Sequence, residues 1–83
     1  MKYQSFEKIQ KVKCVSGEYK EMSYNELCHT LEIIPDIHFL AVTKSGYIDF
    51  TCGKPQEILY LANKCREHGF LISRSMRATL SIL

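Results

Sequence analysis

The sequence predicts an α+β fold, a two-layer sandwich in which an antiparallel sheet of four to five strands carries two helices on one face. Its connectivity is expected to be ferredoxin-like or a tandem ββα arrangement. Three observations lead there. Two stretches, opening at Ser23 and at Pro55, repeat apolar residues at helical spacing and carry helix start signals. Two short polar segments, holding Gly17 and Gly46, separate runs of strand-forming residues. Finally, a chain of 83 residues closes only one core. Surface scaling has such a chain bury roughly 63% of its unfolded area, enough for a single domain over 1–83 without a metal or staple.

The elements follow in order. Lys11–Val15 and Tyr19–Met22 flank Ser16-Gly17 and read as a first hairpin. Ser23-Tyr24-Asn25-Glu26 is a capping box, with a hydroxyl at the cap and a carboxylate three residues on. Leu27, Leu31 and Ile34 then mark one stripe of a helix over 23–33, which Pro35 stops by disfavouring helical geometry at the preceding residue. Ile37–Val42 and Tyr47–Cys52 form a second hairpin across Thr43-Lys44-Ser45-Gly46. In its second strand Ile48, Phe50 and Cys52 alternate with Tyr47, Asp49 and Thr51, one side apolar and the other polar.

The second helix starts at Pro55, where the missing N–H costs nothing, and buries Ile58, Leu61, Ala62 and Cys65. Gly69 ends it as a residue free to adopt positive φ. Phe70–Ser73 and Ala78–Ile82 are expected as further strands across a polar bend, Arg74-Ser75-Met76-Arg77. The order is therefore strand–strand–helix twice, with terminal strands added.

Composition narrows the function classes. Hydrophobic content of 46% and charge of 24% are globular values, which argue against disorder. The longest apolar run, Ile58–Ala62, is too short for a membrane span or the core of a secretion signal. A cytoplasmic location is expected, with Cys14, Cys28, Cys52 and Cys65 reduced and mostly buried.

Net charge is +2, unevenly spread. Residues 1–20 hold five lysines against Glu7 and Glu18; residues 54–83 hold Lys54, Lys64, Arg66, Arg74 and Arg77 against Glu57 and Glu67. The middle third is acidic, with Lys44 facing Glu21, Glu26, Glu32, Asp36 and Asp49. If the two ends meet, one face is basic.

Few constellations carry chemistry. Cys65 and His68 lie three apart on one side of a helix, and with Cys52 they sketch a zinc site whose spacing fits no established finger or ribbon. Cys28 and His29 are adjacent on a helix, so their side chains diverge by about 100° and make a poor nucleophile–base pair. No phosphate loop is present, since Gly53-Lys54-Pro55 lacks the preceding glycine and the trailing hydroxyl. Lys64, Arg66, Arg74 and Arg77 form the remaining cluster, a candidate nucleic-acid edge to which Ser73 and Ser75 add phosphate donors and an aromatic adds stacking. The competing reading of those cations is ordinary solvated surface.

The expected function is a small non-catalytic interaction or regulatory module binding a protein partner and forming a homodimer, with the strand Ala78–Ile82 extending a sheet across the dimer interface or onto the partner. It requires no cofactor and no membrane. An RNA- or DNA-binding module using Lys64, Arg66, Arg74 and Arg77 is the alternative, and a small zinc protein using Cys52, Cys65 and His68 is the second.

Overall fold

Two glycine turns organise the strands. The computed structural model describes residues 8–34, 40–50 and 54–82. Strand β1 (Ile9–Lys13) pairs antiparallel with β2 (Tyr19–Ser23), Ile9 opposite Ser23 and Lys13 opposite Tyr19. Strand β3 (Leu40–Val42) pairs likewise with β4 (Ile48–Phe50), Leu40 opposite Phe50. Gly17 (φ 96°) and Gly46 (φ 90°) supply the positive φ that each reversal needs. Residues 37–39 and 51–52 of the expected second hairpin lie outside the described residues, as does Pro35.

Helix α1 (Tyr24–Thr30) begins at the expected capping box: the Ser23 hydroxyl accepts from the Glu26 N–H, and the Glu26 carboxylate accepts from the Ser23 N–H. It ends earlier than the proline rule suggested. Glu32 adopts a left-handed φ of 58°. The Glu32 and Ile33 N–H groups then donate back to the His29 and Cys28 carbonyls, a Schellman closure with glutamate in the usual glycine position. The buried face consequently uses Tyr24, Leu27, Cys28 and Leu31, while Ile34 is left exposed.

Helix α2 (Pro55–Glu67) buries Leu61, Ala62 and Cys65. At its start the Glu57 carboxylate accepts from the Lys54 N–H at 2.8 Å. At its end Gly69 (φ 73°) makes the same closure as Glu32, with the Phe70 N–H on the Cys65 carbonyl at 2.8 Å.

After Gly69 the structure departs from the sequence reading. Residues 70–73 form no regular strand but thread between the hairpins through two isolated bridges, Cys14 with Phe70 antiparallel and Ile48 with Ile72 parallel. The Leu71 N–H donates to the Lys13 carbonyl, and the Leu71 carbonyl accepts from the Ile48 N–H. The expected bend and last strand are instead a third helix, α3 (Arg74–Leu80), capped by the Ser73 hydroxyl accepting from the Met76 N–H. Met76 is buried and Leu80 packs partly against the core, the i, i+4 pair of a helix rather than an alternating strand.

The chain is thus a small α+β structure of two two-stranded antiparallel sheets and three helices among the described residues, ordered ββα, ββα, α. A continuous sheet of four to five strands with only two helices is not what the described residues form. The core gathers Val12, Leu27, Leu31, Ile48, Leu61, Cys65 and Met76 from both hairpins and all three helices.

Candidate functional site

The segment that stitches the hairpins together also positions the cations. Lys13, in the basic first third, is bonded through its backbone to Gly46 and Leu71, and Val15 to Gly69. Residues 13–15 of the basic first segment therefore meet residues 69–71 of the basic last one. Arg66 stands in the last turn of α2, Gly69 turns the chain back, and Ser73 starts α3 so that Arg74 and Arg77 fall three apart on one helix face.

Two adjacent concavities result. One, of about 310 Å³, is lined by Thr43, Ser45, Tyr47, Ser73, Arg74 and Arg77. The other, of about 270 Å³, is lined by Val15, Tyr47, Arg66, Phe70, Leu71, Ile72 and Arg77. Tyr47 and Arg77 border both. Arg66, Arg74 and Arg77 are exposed, and no ion pair involves them among the described residues. Among the described residues, neither concavity has a carboxylate in its lining.

Tyr47 is held by its turn: the Thr43 hydroxyl accepts from the Tyr47 N–H at 3.0 Å, and the Tyr47 carbonyl accepts from the Thr43 N–H at 2.9 Å. The nearby acid, Asp49, is already engaged, its Oδ1 accepting from the Ser73 hydroxyl at 2.7 Å. Ser73 is therefore a buried structural cap with its hydrogen on Asp49, and not the phosphate donor expected of it. Ser75 lines a neighbouring concavity with Asp49.

Lys64 does not join this group. Its Nζ lies 2.6 Å from the Glu32 Oε2 and 3.7 Å from the Glu67 Oε1, and 5.7 Å from the centre of the Tyr60 ring. The hydrogen bond to Lys64 lowers the pKa of Glu32, and the same bond raises that of Lys64, so both stay charged. Lys64 ties α2 to the end of α1, 32 residues away.

The cysteine groupings come out differently. Cys65 is fully buried, and desolvation pushes its thiol up to about 12, opposing the thiolate that zinc requires. His68 sits at the end of α2 with its ring stacked on Phe70, centroids 5.8 Å apart. Cys52 lies outside the described residues. Among the described residues, no three His, Cys, Asp or Glu side chains gather around a metal-sized space. Cys28 is buried beside the Tyr24 hydroxyl, both groups raised by burial, while His29 is exposed. No helix among the described residues is long and apolar enough to cross a membrane.

Sequence reasoning reached Arg66, Arg74 and Arg77 but missed Tyr47, Thr43 and Ser45, which belong to a turn far away in the chain. The position of Tyr47 on the polar side of an amphipathic strand was the available signal. Comparison with models of protein families, with curated proteins and with solved structures finds no match to this chain.

Proposed function

We propose that the chain is a non-catalytic nucleic-acid-binding module that takes phosphate groups on Arg66, Arg74 and Arg77 around Tyr47. The observation carrying this reading is the convergence of three exposed arginines, free of ion pairs among the described residues, on two concavities that share one tyrosine. Arginine presents a planar fork of donors suited to phosphate oxygens, and a site without carboxylates leaves that fork unopposed. In this reading the two ββα units form a two-layer scaffold that presents the face. The buried free thiols Cys14, Cys28 and Cys65 suit a reducing cytoplasm.

For the competing proposal, a module that binds a protein partner, the C-terminal strand offered for sheet extension is helix α3 over Arg74–Leu80, which leaves that proposal without its positive observation. The test is a gel shift with mixed RNA and DNA oligonucleotides. Binding is expected at ~50 mM salt, weakening steeply by ~200 mM as counterions are released. Replacing Arg66, Arg74 and Arg77 together by Ala should abolish the shift, whereas Lys64→Ala should leave it within about twofold, since Lys64 serves a surface ion pair. Absence of any shift at the lower salt disposes of the proposal.

A further inference from the structure

We infer that the preferred ligand is a single strand, RNA or DNA, whose bases stack on Tyr47 while its phosphates lie on the arginines to either side. This rests on the nucleic-acid reading above. Half-buried Tyr47 lines both concavities together with Arg77, while Arg74 borders one and Arg66 the other, so an aromatic residue and cations share each lining. A surface built for duplex phosphates has no use for an aromatic platform, because paired bases hide their faces within the stack. A single strand offers those faces, and stacking on aromatic rings beside a basic track is how such strands are held without sequence preference.

The helix that carries two of the arginines also argues against duplex reading. A recognition helix must stand proud to enter a major groove. Helix α3 has only seven residues, buries Met76, and lies packed on α2 and β4. Its exposed side, with Arg74 and Arg77, walls a concavity. The turn hydrogen bonds between Thr43 and Tyr47 fix the backbone beneath the ring before any ligand arrives.

The chain contains no tryptophan, so Tyr47→Trp creates a unique fluorophore at the platform. The experiment titrates this variant and the parent with a ~12-nucleotide oligo(U), the matching oligo(dT) and a hairpin duplex of equal length, by anisotropy and by tryptophan emission. The parent should bind the single strands at least about tenfold tighter than the duplex, and emission should be quenched as bases stack on the indole. Tyr47→Leu should lose about tenfold or more of that affinity while keeping the parent's salt slope, the range expected for one stacked base. Arg77→Ala should lower the slope by about one. Circular dichroism melts of each variant separate lost binding from lost folding. Duplex bound as tightly as single strand, or unquenched tryptophan at saturation, overturns the inference and leaves the nucleic-acid proposal standing. Failure of the parent to bind any of the three probes removes both.

Discussion

Gly46 offers the sharpest test of how the two hairpins are joined. Gly17, Gly46 and Gly69 all have positive φ, at 96°, 90° and 73°. Any L-residue there incurs a conformational cost of roughly 1–2 kcal/mol. The space around them differs. A Cβ on Gly17 meets nothing within 4 Å, and one on Gly69 meets only the Val15 Cγ2 at 3.7 Å, an ordinary contact. A Cβ on Gly46 would sit 2.9 Å from the Tyr19 Cε1, 3.0 Å from the Lys11 carbonyl oxygen and 3.0 Å from the Lys13 nitrogen.

The tyrosine ring can swing away, but the other two atoms are β1 backbone and cannot. Relief requires β1 to withdraw from the turn, stretching the 2.8 Å bond from the Lys13 N–H to the Gly46 carbonyl. Overpacking of this kind costs about 1–3 kcal/mol, and a weakened hydrogen bond about 0.5–1.5 kcal/mol. Gly46→Ala should therefore cost about 3–6 kcal/mol, against about 1–2 for Gly17→Ala and Gly69→Ala. At roughly 0.05–0.15 kcal/mol per residue the whole domain holds only about 4–12 kcal/mol. With ~4–8 °C per kcal/mol, the mid-range difference of about 3 kcal/mol should make Gly46→Ala melt ~10–20 °C below the other two, or fail to fold where they succeed. Thermal melts by circular dichroism, backed by urea midpoints, read the difference. Three variants melting within a few degrees of one another would show that β1 does not rest on the turn.

Three further outcomes are expected. Leu61 is 1% exposed at the centre of the α2 stripe, so Leu61→Ala should leave a cavity and cost about 2–5 kcal/mol, lowering the Tm by ten degrees or more; a parent-like melt would mean the helix is misphased. Ser73→Ala removes the cap of α3 and strips Asp49 of its hydroxyl donor, an expected loss of about 1–2 kcal/mol in urea unfolding, larger than for Asp49→Asn, which keeps an acceptor for Ser73. Stability should also fall in alkali. The Cys65 thiol, raised to about 12 in the folded protein, stays neutral there while the unfolded chain ionises above its ordinary value near 9, so its contribution is complete below pH ~9 and fades towards pH ~12. Urea midpoints at pH 7 and 10 should diverge, and Cys65→Ala should narrow that gap.

What the sequence made legible is what neighbours in the chain decide. The capping box at Ser23, the proline start of α2, the glycine closure at Gly69 and the turns at Gly17 and Gly46 each depend on four to six consecutive residues, and each stands in the structure. The end of α1 was misjudged because Glu32 accepts a left-handed φ that its residue type disfavours. Lys64, which bonds Glu32, and Tyr60, whose hydroxyl donates to the Glu32 carbonyl, both grip that residue from α2. Lys64 was drawn into the basic cluster for the same reason: its partner stands 32 positions away. No local pattern discloses a partner at that distance.

The misreading of residues 74–82 bears most on the site. Ala78, Leu80 and Ile82 alternate with Thr79 and Ser81, a period of two that predicts a strand. The same residues also carry Met76 and Leu80 four apart behind Ser73, and tertiary packing on α2 and β4 selects that helical set. The selection changes what the arginines can do. In a bend followed by a strand, nothing holds Arg74 and Arg77 to one side. In α3 they lie three residues apart on a single face, bordering the concavity that Tyr47 closes from the hairpin turn. The edge available for strand pairing disappears in the same step, because helical α3 presents no extended row of N–H and C=O groups. One local choice of conformation therefore withdraws the observation behind a strand-paired homodimer and supplies the one behind an arginine–tyrosine face.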